Sequence, residues 1–403
     1  MTTSASIDLD DEAVTKQRER RALGVACGAH VLHDGYTDLI WVALPIWQTE
    51  FGLSYAAVGL LRMIYSGTMA SLQIPASHIA ERAGGGAVLA IGTGFCGLCY
   101  CLAGIGSGFW ALVAALFLGG LGAATQHPIG SALVTRVFTG ARALTAFGTY
   151  NFAGDIGKVL LPASATTLIL FMPWRPAYAL LGLLGIAAAL VWAPRLPAER
   201  SVQKQPSQSL ALKESAQLRS GFYVLAALGI ADSVVRSAFF VLLPFLLIGK
   251  GATVVIAGMA LTLLFVGGAI GKFVCGWIVR WIGVVTTIIL AAAVTTVGML
   301  AVLWLPLNST LVLLPLLGSA LNGVTTAIYG SVPNYAKPER RTHALSVFYT
   351  VTIGSAALSP PLSGAIGDLI GVPDAIMVVS LMTLVNIPLA FELKKAADCS
   401  EQS

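Results

Sequence analysis

Residues 220–248 read SGFYVLAALGIADSVVRSAFFVLLPFLLI, an apolar run interrupted only by Asp232 and Arg236. Wound as a helix at ~1.5 Å per residue, such a run outreaches the ~30 Å hydrocarbon core of a bilayer. Glycines, prolines and charges divide the flanking sequence into runs of the same kind, near 21–47, 55–80, 87–106, 110–135, 143–171 and 175–193 before it, and near 253–279, 283–305, 310–333, 343–366 and 373–391 after it. Spans at ~20 residues each leave room for short loops only. The composition agrees: of 403 residues, 56% are hydrophobic and 11% charged, with a mean hydropathy of +0.82. A chain this poor in charge cannot clothe a soluble domain of its size, so lipid is its solvent and the fold class is an all-α membrane protein of twelve transmembrane helices.

Several classes fall away. The N-terminal stretch MTTSASIDLDDEAVTKQRERR opens on acidic and polar residues, which is the wrong order for a cleavable signal peptide. The six cysteines, at 27, 96, 99, 101, 275 and 399, sit mostly within apolar runs, where a disulfide framework is not expected. The net charge of +5 is scattered over loops without a basic, aromatic-interleaved stripe, which argues against nucleic acid as a partner. HExxH, paired CxxC and GxSxG motifs are missing from the sequence, so neither an enzyme nor a metal or cofactor site is expected.

Twelve spans place both termini on one side. If that side is the cytoplasm, the outer loops hold only Arg175 and Lys250, the spans hold Arg62, Lys158, Arg236 and Lys272, and every other Lys and Arg lies inside. This predicts a bacterial-type inner membrane protein. The organisation expected is a disordered cytoplasmic tail over 1–20, a six-helix bundle over 21–193, a Gln-, Ser- and Lys-rich linker over 194–219, a second bundle over 220–392 and a short tail over 393–403. The two bundles repeat one another. Gly130-Ser131 returns as Gly330-Ser331, ALTAF from Ala143 returns as ALSVF from Ala344, and Asp34 and Asp38 of the first span match Asp232 and Arg236 of the seventh. Such parallel repeats predict a solute site near mid-membrane where the bundles meet.

Ionisable groups at that depth cost ~2.5–3.5 kcal/mol each on insertion scales, so each needs a partner or a task. His30, Asp34 and Asp38 lie four residues apart along one helical stripe, with His33 beside it. Asp34 lies ~20 Å along the helix from Arg21, at mid-bilayer. A carboxyl group stripped of water favours its protonated form, which makes Asp34, with His30, Asp38 and His33, the candidate proton-coupling set; a static polar network is the alternative. Tyr150, Asn151, Asp155 and Lys158 belong to the fifth span, where Asp155 and Lys158 can pair at i, i+3. Lys158 either neutralises Asp155 or holds an anionic group of the solute. Asp232 and Arg236 form an i, i+4 pair, and the guanidinium fork of Arg236 suits a carboxylate, phosphate or phosphonate. Arg62 is expected to snorkel to the outer interface, and Lys272 to snorkel or reach the cavity. Cys96, Cys99 and Cys101 raise a soft-metal or arsenical alternative, with packing as the default because Cys101 leaves the face shared by the other two.

The turns after the second and eighth spans, SHIAERAGGG from Ser77 and GWIVRWIG from Gly276, resemble the loop pattern of the major facilitator superfamily, in which glycines bracket an acid–base pair. Glu81, Arg82 and Gly84 in the first copy, and Gly276, Arg280 and Gly283 in the second, are the gating-loop residues this implies. AHVLHD at 29–34, the following ALPIWQTEFGLSYAAVGLL, His127-Pro128 within ATQHPIGS, and Gly154, Gly157 and Pro162 resemble the fosmidomycin-resistance branch of that superfamily. The resemblance implies the major facilitator fold of two pseudo-symmetric six-helix bundles and a proton-driven exporter of small polar or anionic compounds, with His127 among the pathway residues. Asp155 and Lys158 stand where that branch carries uncharged residues, His33 replaces an amide, and the Gly-Pro-x-x-Gly-Gly pattern of drug antiporters is missing from the fifth span. These departures predict a more charged solute. The reading is a monomeric, proton-coupled antiporter working by alternating access on an anionic or zwitterionic solute, through Arg236, Lys158, Asp155, Asn151, Tyr150, His127 and Asp232. A symporter importing an organic anion would use the same residues, and a non-transporting membrane sensor is the rival from another class.

Overall fold

The computed structural model describes residues 3–138, 140–193, 216–337 and 340–401, so most of the expected linker lies outside the described residues. Those residues are helical almost throughout, and no strand occurs among them. α1 (Thr3–Phe51) and α2 (Tyr55–Ala83) are followed by α3 (Gly85–Ile105), α4 (Phe109–Ala123), α5 (Gln126–Val137), α6 (Gly140–Phe171) and α7 (Trp174–Trp192). The second half contains α8 (Ala216–Gly249), α9 (Val254–Ile282), α10 (Val284–Trp304), α11 (Leu307–Ser331), α12 (Arg341–Ile370), α13 (Val372–Met382) and α14 (Asn386–Glu401). Ten stretches, from Gly85–Ile105 to Val372–Ala396, are long and apolar enough to cross a membrane. α1 and α2 complete the twelve; the buried His30, His33, Asp34 and Asp38 of α1 and Arg62 of α2 account for their weaker apolar character.

α1 is helical from Thr3, through the stretch expected to be a disordered tail. The fourth span is split. Pro128 has no amide hydrogen and its ring collides with the carbonyl four residues back, so the helix breaks at Ala124-Thr125 and restarts as α5 with His127 in its first turn. Thr125 Oγ1 donates to the Gly122 carbonyl at 2.9 Å across that break.

Packing divides the chain into two compact units, Met1–Leu39 with Ser71–Gln203, and Ile40–Ala70 with Lys204–Ser403. α1 and α2 each contribute to both. In the first unit, α6 lies directly on α1: a Cβ on Gly154 would sit 2.5 Å from Asp34 Oδ2 and 2.8 Å from His30 Nε2, and one on Gly157 would strike the Val31 carbonyl. In the second unit, the N-terminal end of α2 is held by Asp368 of α12, whose two oxygens accept from the Tyr55 and Ala56 amides at 2.8 and 2.9 Å. A carboxylate on the free amides at a helix N-terminus is a favourable cap. Leu225, Leu228, Ile288, Ile328, Val332 and Phe348 form part of this unit's core.

The turn glycines separate into two kinds. Gly84 and Gly283 have φ of 95° and 79°, the left-handed region where a side chain is strained, and both sit where a helix hands over directly to the next. Gly276 does not belong to the turn: it lies inside α9, about two turns of helix before the break at Gly283. Arg62 departs from expectation as well. It is buried, with its guanidinium 4.2 Å over the Trp41 ring, a cation–π contact in place of a snorkelling position. Arg175 and Lys250 have structural partners: Arg175 Nη1 donates to the Gly106 carbonyl at 2.5 Å, and Lys250 Nζ to those of Val302 and Leu305 at 2.5 and 2.6 Å. Cations there meet the negative ends of α3 and α10.

Candidate functional site

The site is built from three helices of the first unit. α1 supplies His30, His33, Asp34 and Asp38, all buried; α5 supplies Gln126 and His127; α6 supplies Tyr150, Asp155 and Lys158. Because Gly154 and Gly157 carry no side chain, α6 approaches α1 closely enough for Lys158 to reach Asp34. Lys158 Nζ lies 3.2 Å from Asp34 Oδ2 and 3.3 Å from Asp155 Oδ1. Asp38 adds its field to the same ammonium group. One cation therefore serves three carboxylates, while keeping 32% of its side chain exposed.

The other oxygen of Asp34 faces imidazoles. His30 Nε2 lies 3.4 Å and His33 Nε2 3.7 Å from Oδ1. The Tyr150 carbonyl lies 2.8 Å from His30 Nδ1, and since a carbonyl only accepts, Nδ1 carries the proton. The Tyr150 ring stacks on that of His30 with centroids 4.1 Å apart. His127 meets His33 edge-on at 4.8 Å and His30 at 5.7 Å between centroids. Neither ring nitrogen of His33 has a hydrogen-bond partner, although the residue is only 4% exposed. Buried polar atoms are paired in the great majority of cases, which sets this imidazole apart.

His33 lines a crevice with Tyr36, Thr93, Cys96, Gly122, Thr125 and Gln126 that is too tight for a water molecule. Below it the tyrosines interlock. Tyr36 Oη donates to the Leu181 carbonyl at 2.6 Å, and Tyr100 Oη donates to the Tyr36 carbonyl. Gln126, Tyr36 and Tyr100 escape a sequence reading focused on charge. The signal for Gln126 was its position beside His127, where an amide interrupts an otherwise small and apolar run.

Two expected members of this set differ from the others. Asn151 shares the i, i+4, i+7 pattern with Asp155 and Lys158 but is exposed. Tyr150 is buried, and its contacts are to His30 and Gln126. Of the cysteines, the Cys96 thiol donates to the Gly119 carbonyl at 3.6 Å and that of Cys101 to Ala179 at 3.5 Å, so they face α4 and α7 respectively.

In the second unit, Arg236 Nη1 lies 3.2 Å from Asp232 Oδ2, and Nη2 donates to Ser233 Oγ at 3.3 Å. Asp232 is nearly fully buried and borders a cavity of about 10 Å³ shared with Thr295, Thr383 and Asn386. The gating-loop residues Glu81, Arg82 and Arg280 are exposed at the ends of α2 and α9. No metal site is expected from the sequence, yet the fold brings donor atoms of His33, Asp34 and His127 within 4.8 Å of one another.

A family model described as Major Facilitator Superfamily matches residues 26–324 and 225–398. Among curated proteins, the chain is 28% identical over 145 residues to a "Probable L-galactonate transporter" of Escherichia coli (strain K12), covering 36% of this chain and 32% of that protein. It is 27% identical over 152 residues to the fosmidomycin resistance protein of the same strain, covering 36% of each. A "Probable sulfoacetate transporter SauU" of Cupriavidus necator is 27% identical over 178 residues, covering 42% of this chain and 40% of that one. The alignments thus span between about a third and two fifths of these relatives. Among solved structures, a bacterial homolog to the human lysosomal transporter Spinster, in an inward-facing and occupied conformation, superposes with a TM-score of 0.79 at 15% identity, over 93% of this chain and 96% of that one. At that identity the likeness speaks for the fold.

Proposed function

The chain belongs to the major facilitator superfamily, and from that premise we propose that it is a proton-coupled antiporter exporting a small anionic or zwitterionic compound by alternating access. That it is a multi-pass membrane transporter and not an enzyme follows from the family. The proton, the direction and the charge of the solute are our reading. So are its monomeric state and its orientation, with both termini in the cytoplasm, for which the Lys and Arg distribution argues.

One observation carries the coupling: Asp34 is buried with Lys158 on one oxygen and two imidazoles on the other. Coulomb attraction across ~3 Å in a water-poor site is strong, so Asp34 holds either its ion pair or a proton. When a proton takes Asp34, Lys158 is released toward Asp155 or toward a solute anion. When the proton leaves, Asp34 recaptures the ammonium and the anion is expelled. An anion taken up by the freed Lys158 would travel with the proton, as in symport; antiport requires the solute to be held elsewhere, and only while Asp34 keeps Lys158. His30, His33, Asp38 and His127 surround the same carboxylate and would share the proton. Arg236 is the second candidate for an anionic group, since its fork bonds carboxylates and phosphonates with two parallel hydrogen bonds.

Import of an organic anion by proton symport is kept as the second reading, because it would use the same residues; two of the relatives bear the names of anionic solutes, L-galactonate and sulfoacetate. One experiment decides between them. Purified protein in proteoliposomes is given fosmidomycin, L-galactonate or sulfoacetate under an imposed pH gradient. Antiport predicts accumulation on the acidic side, and symport predicts it on the alkaline side. Flux indifferent to the gradient for a solute that the protein carries refutes proton coupling. A ligand that binds the folded state raises its thermal stability, so a thermal-shift screen with sugar acids, phosphonates and sulfonates identifies the solute to load.

A further inference from the structure

Asp34 and its imidazoles bring together more nitrogen and oxygen lone pairs than their hydrogen bonds use. The Tyr150 carbonyl fixes the His30 proton on Nδ1, so the neutral ring turns the lone pair of Nε2 toward Asp34 Oδ1 at 3.4 Å. Two acceptors then face each other without a donor between them. His33 Nε2 stands 3.7 Å from the same oxygen, and both its ring nitrogens lack hydrogen-bond partners in a residue 96% removed from solvent. His127 closes the arrangement from α5, bringing donor atoms of His33, Asp34 and His127 within 4.8 Å of one another. Lys158 occupies Oδ2 and leaves Oδ1 to the imidazoles.

We propose that His33, Asp34 and His127 form a binding site for a divalent transition-metal ion of the Zn²⁺ and Co²⁺ class. Two imidazoles and a carboxylate from two helices are a donor set that such ions favour, whereas hard cations such as Mg²⁺ prefer oxygen alone. Tetrahedral coordination with bonds of ~2.0–2.1 Å places donors ~3.4 Å apart, so the 4.8 Å set contracts on the scale of side-chain rotation. The bond from His30 to the Tyr150 carbonyl is the kind of outer contact that orients a metal-binding imidazole, and His30 is placed to add a fourth donor. The Cys96 thiol borders the same crevice but already donates to the Gly119 carbonyl, so it is outside the set. Lys158 opposes the ion: its charge sits on the other oxygen of the one carboxylate the ion would use. The inference rests on the reading of this cluster as the cation-handling site of the transporter, and adds a ligand class to it.

The test uses full-length protein purified without a polyhistidine tag. Co²⁺ titration is followed by the visible absorption of tetrahedral cobalt, with Zn²⁺ as competitor. The expected result is one saturable site per chain. Binding is weakened roughly a hundredfold in each of His33→Gln and His127→Gln, on the scale of losing one ligand from a small donor set. Lys158→Met tightens binding about tenfold by removing a nearby positive charge, a gain that a merely structural role for the cluster would not produce. Cys96→Ser leaves binding unchanged. Circular dichroism and monodisperse elution establish that each variant is folded. Absence of a saturable site, a site that survives both histidine substitutions, or one lost in Cys96→Ser overturns the proposal. If Co²⁺ does not bind while pH-driven flux persists, the metal site is wrong and the coupling stands; binding with pH-indifferent flux removes the coupling and leaves the metal site.

Discussion

The two charged clusters begin from the same spacing and end differently. Asp34 and Asp38 on α1, and Asp232 and Arg236 on α8, occupy matching places in the internal repeat, four residues apart. In the second unit the pair closes on its own helix: Arg236 reaches Asp232 one turn away and Ser233 beside it. In the first unit two like charges cannot close on each other, and Asp34 instead draws a lysine from α6 while three histidines gather from α1 and α5. A pair satisfied within one helix has little reason to change partner when neighbouring helices move. A carboxylate whose lysine partner comes from another helix must change partner when that helix moves away. On the proposed function, that difference suits the first cluster to coupling and the second to solute recognition.

Breaking the first cluster has the largest expected consequence. Asp34→Asn removes the exchangeable charge and lowers pH-driven flux in proteoliposomes by about a hundredfold, the scale of losing an acid–base group from its reaction. Lys158→Met leaves two buried carboxylates without their ammonium and costs about 3 kcal/mol of stability, read as a lowered melting temperature in detergent. The double variant Asp34→Asn with Lys158→Met recovers part of that loss, because the two effects are coupled through one contact. Gly157→Val forces a side chain against the Val31 backbone, separates α6 from α1, and destabilises by about 1–3 kcal/mol while also lowering flux. In the second cluster, Arg236→Lys keeps the charge but loses the fork. It raises KM for an anionic solute about tenfold and leaves the pH profile of transport unmoved. The smallest effect belongs to Cys96→Ser with Cys101→Ser, expected to keep flux within about twofold, since these thiols pack against helix carbonyls.

Much of this was legible before any coordinates. Hydrophobic length alone indicates the spans, because a bilayer admits few alternatives, and the cost of charge in lipid singles out Asp34, Asp155, Lys158, Asp232 and Arg236. What the sequence could not supply was partnership across helices. Lys158 reads as a partner for Asp155, its neighbour at i, i+3, and only the close contact permitted by Gly154 and Gly157 shows that it also reaches Asp34. His127 is visible as part of a His-Pro pair, but its approach to His33 depends on the helix break that Pro128 imposes. Helical periodicity puts Asn151 on one face with Asp155 and Lys158, yet it is exposed where Asp155 is buried, because burial depends on what packs against each turn of that face. Arg62 was misjudged for a related reason: depth along a helix says nothing about an aromatic ring, here Trp41, waiting beside it. Asp368, which caps α2 from a helix some three hundred residues later, carried no local signal at all.

The central claim is that Asp34 couples the proton to the solute without being needed to bind that solute. Solute counterflow, the exchange of labelled for unlabelled solute across proteoliposomes at equal pH, separates the two. Asp34→Asn should retain counterflow close to wild type while losing all accumulation driven by a pH gradient. Accumulation by Asp34→Asn against a solute gradient, powered by pH alone, would contradict the account.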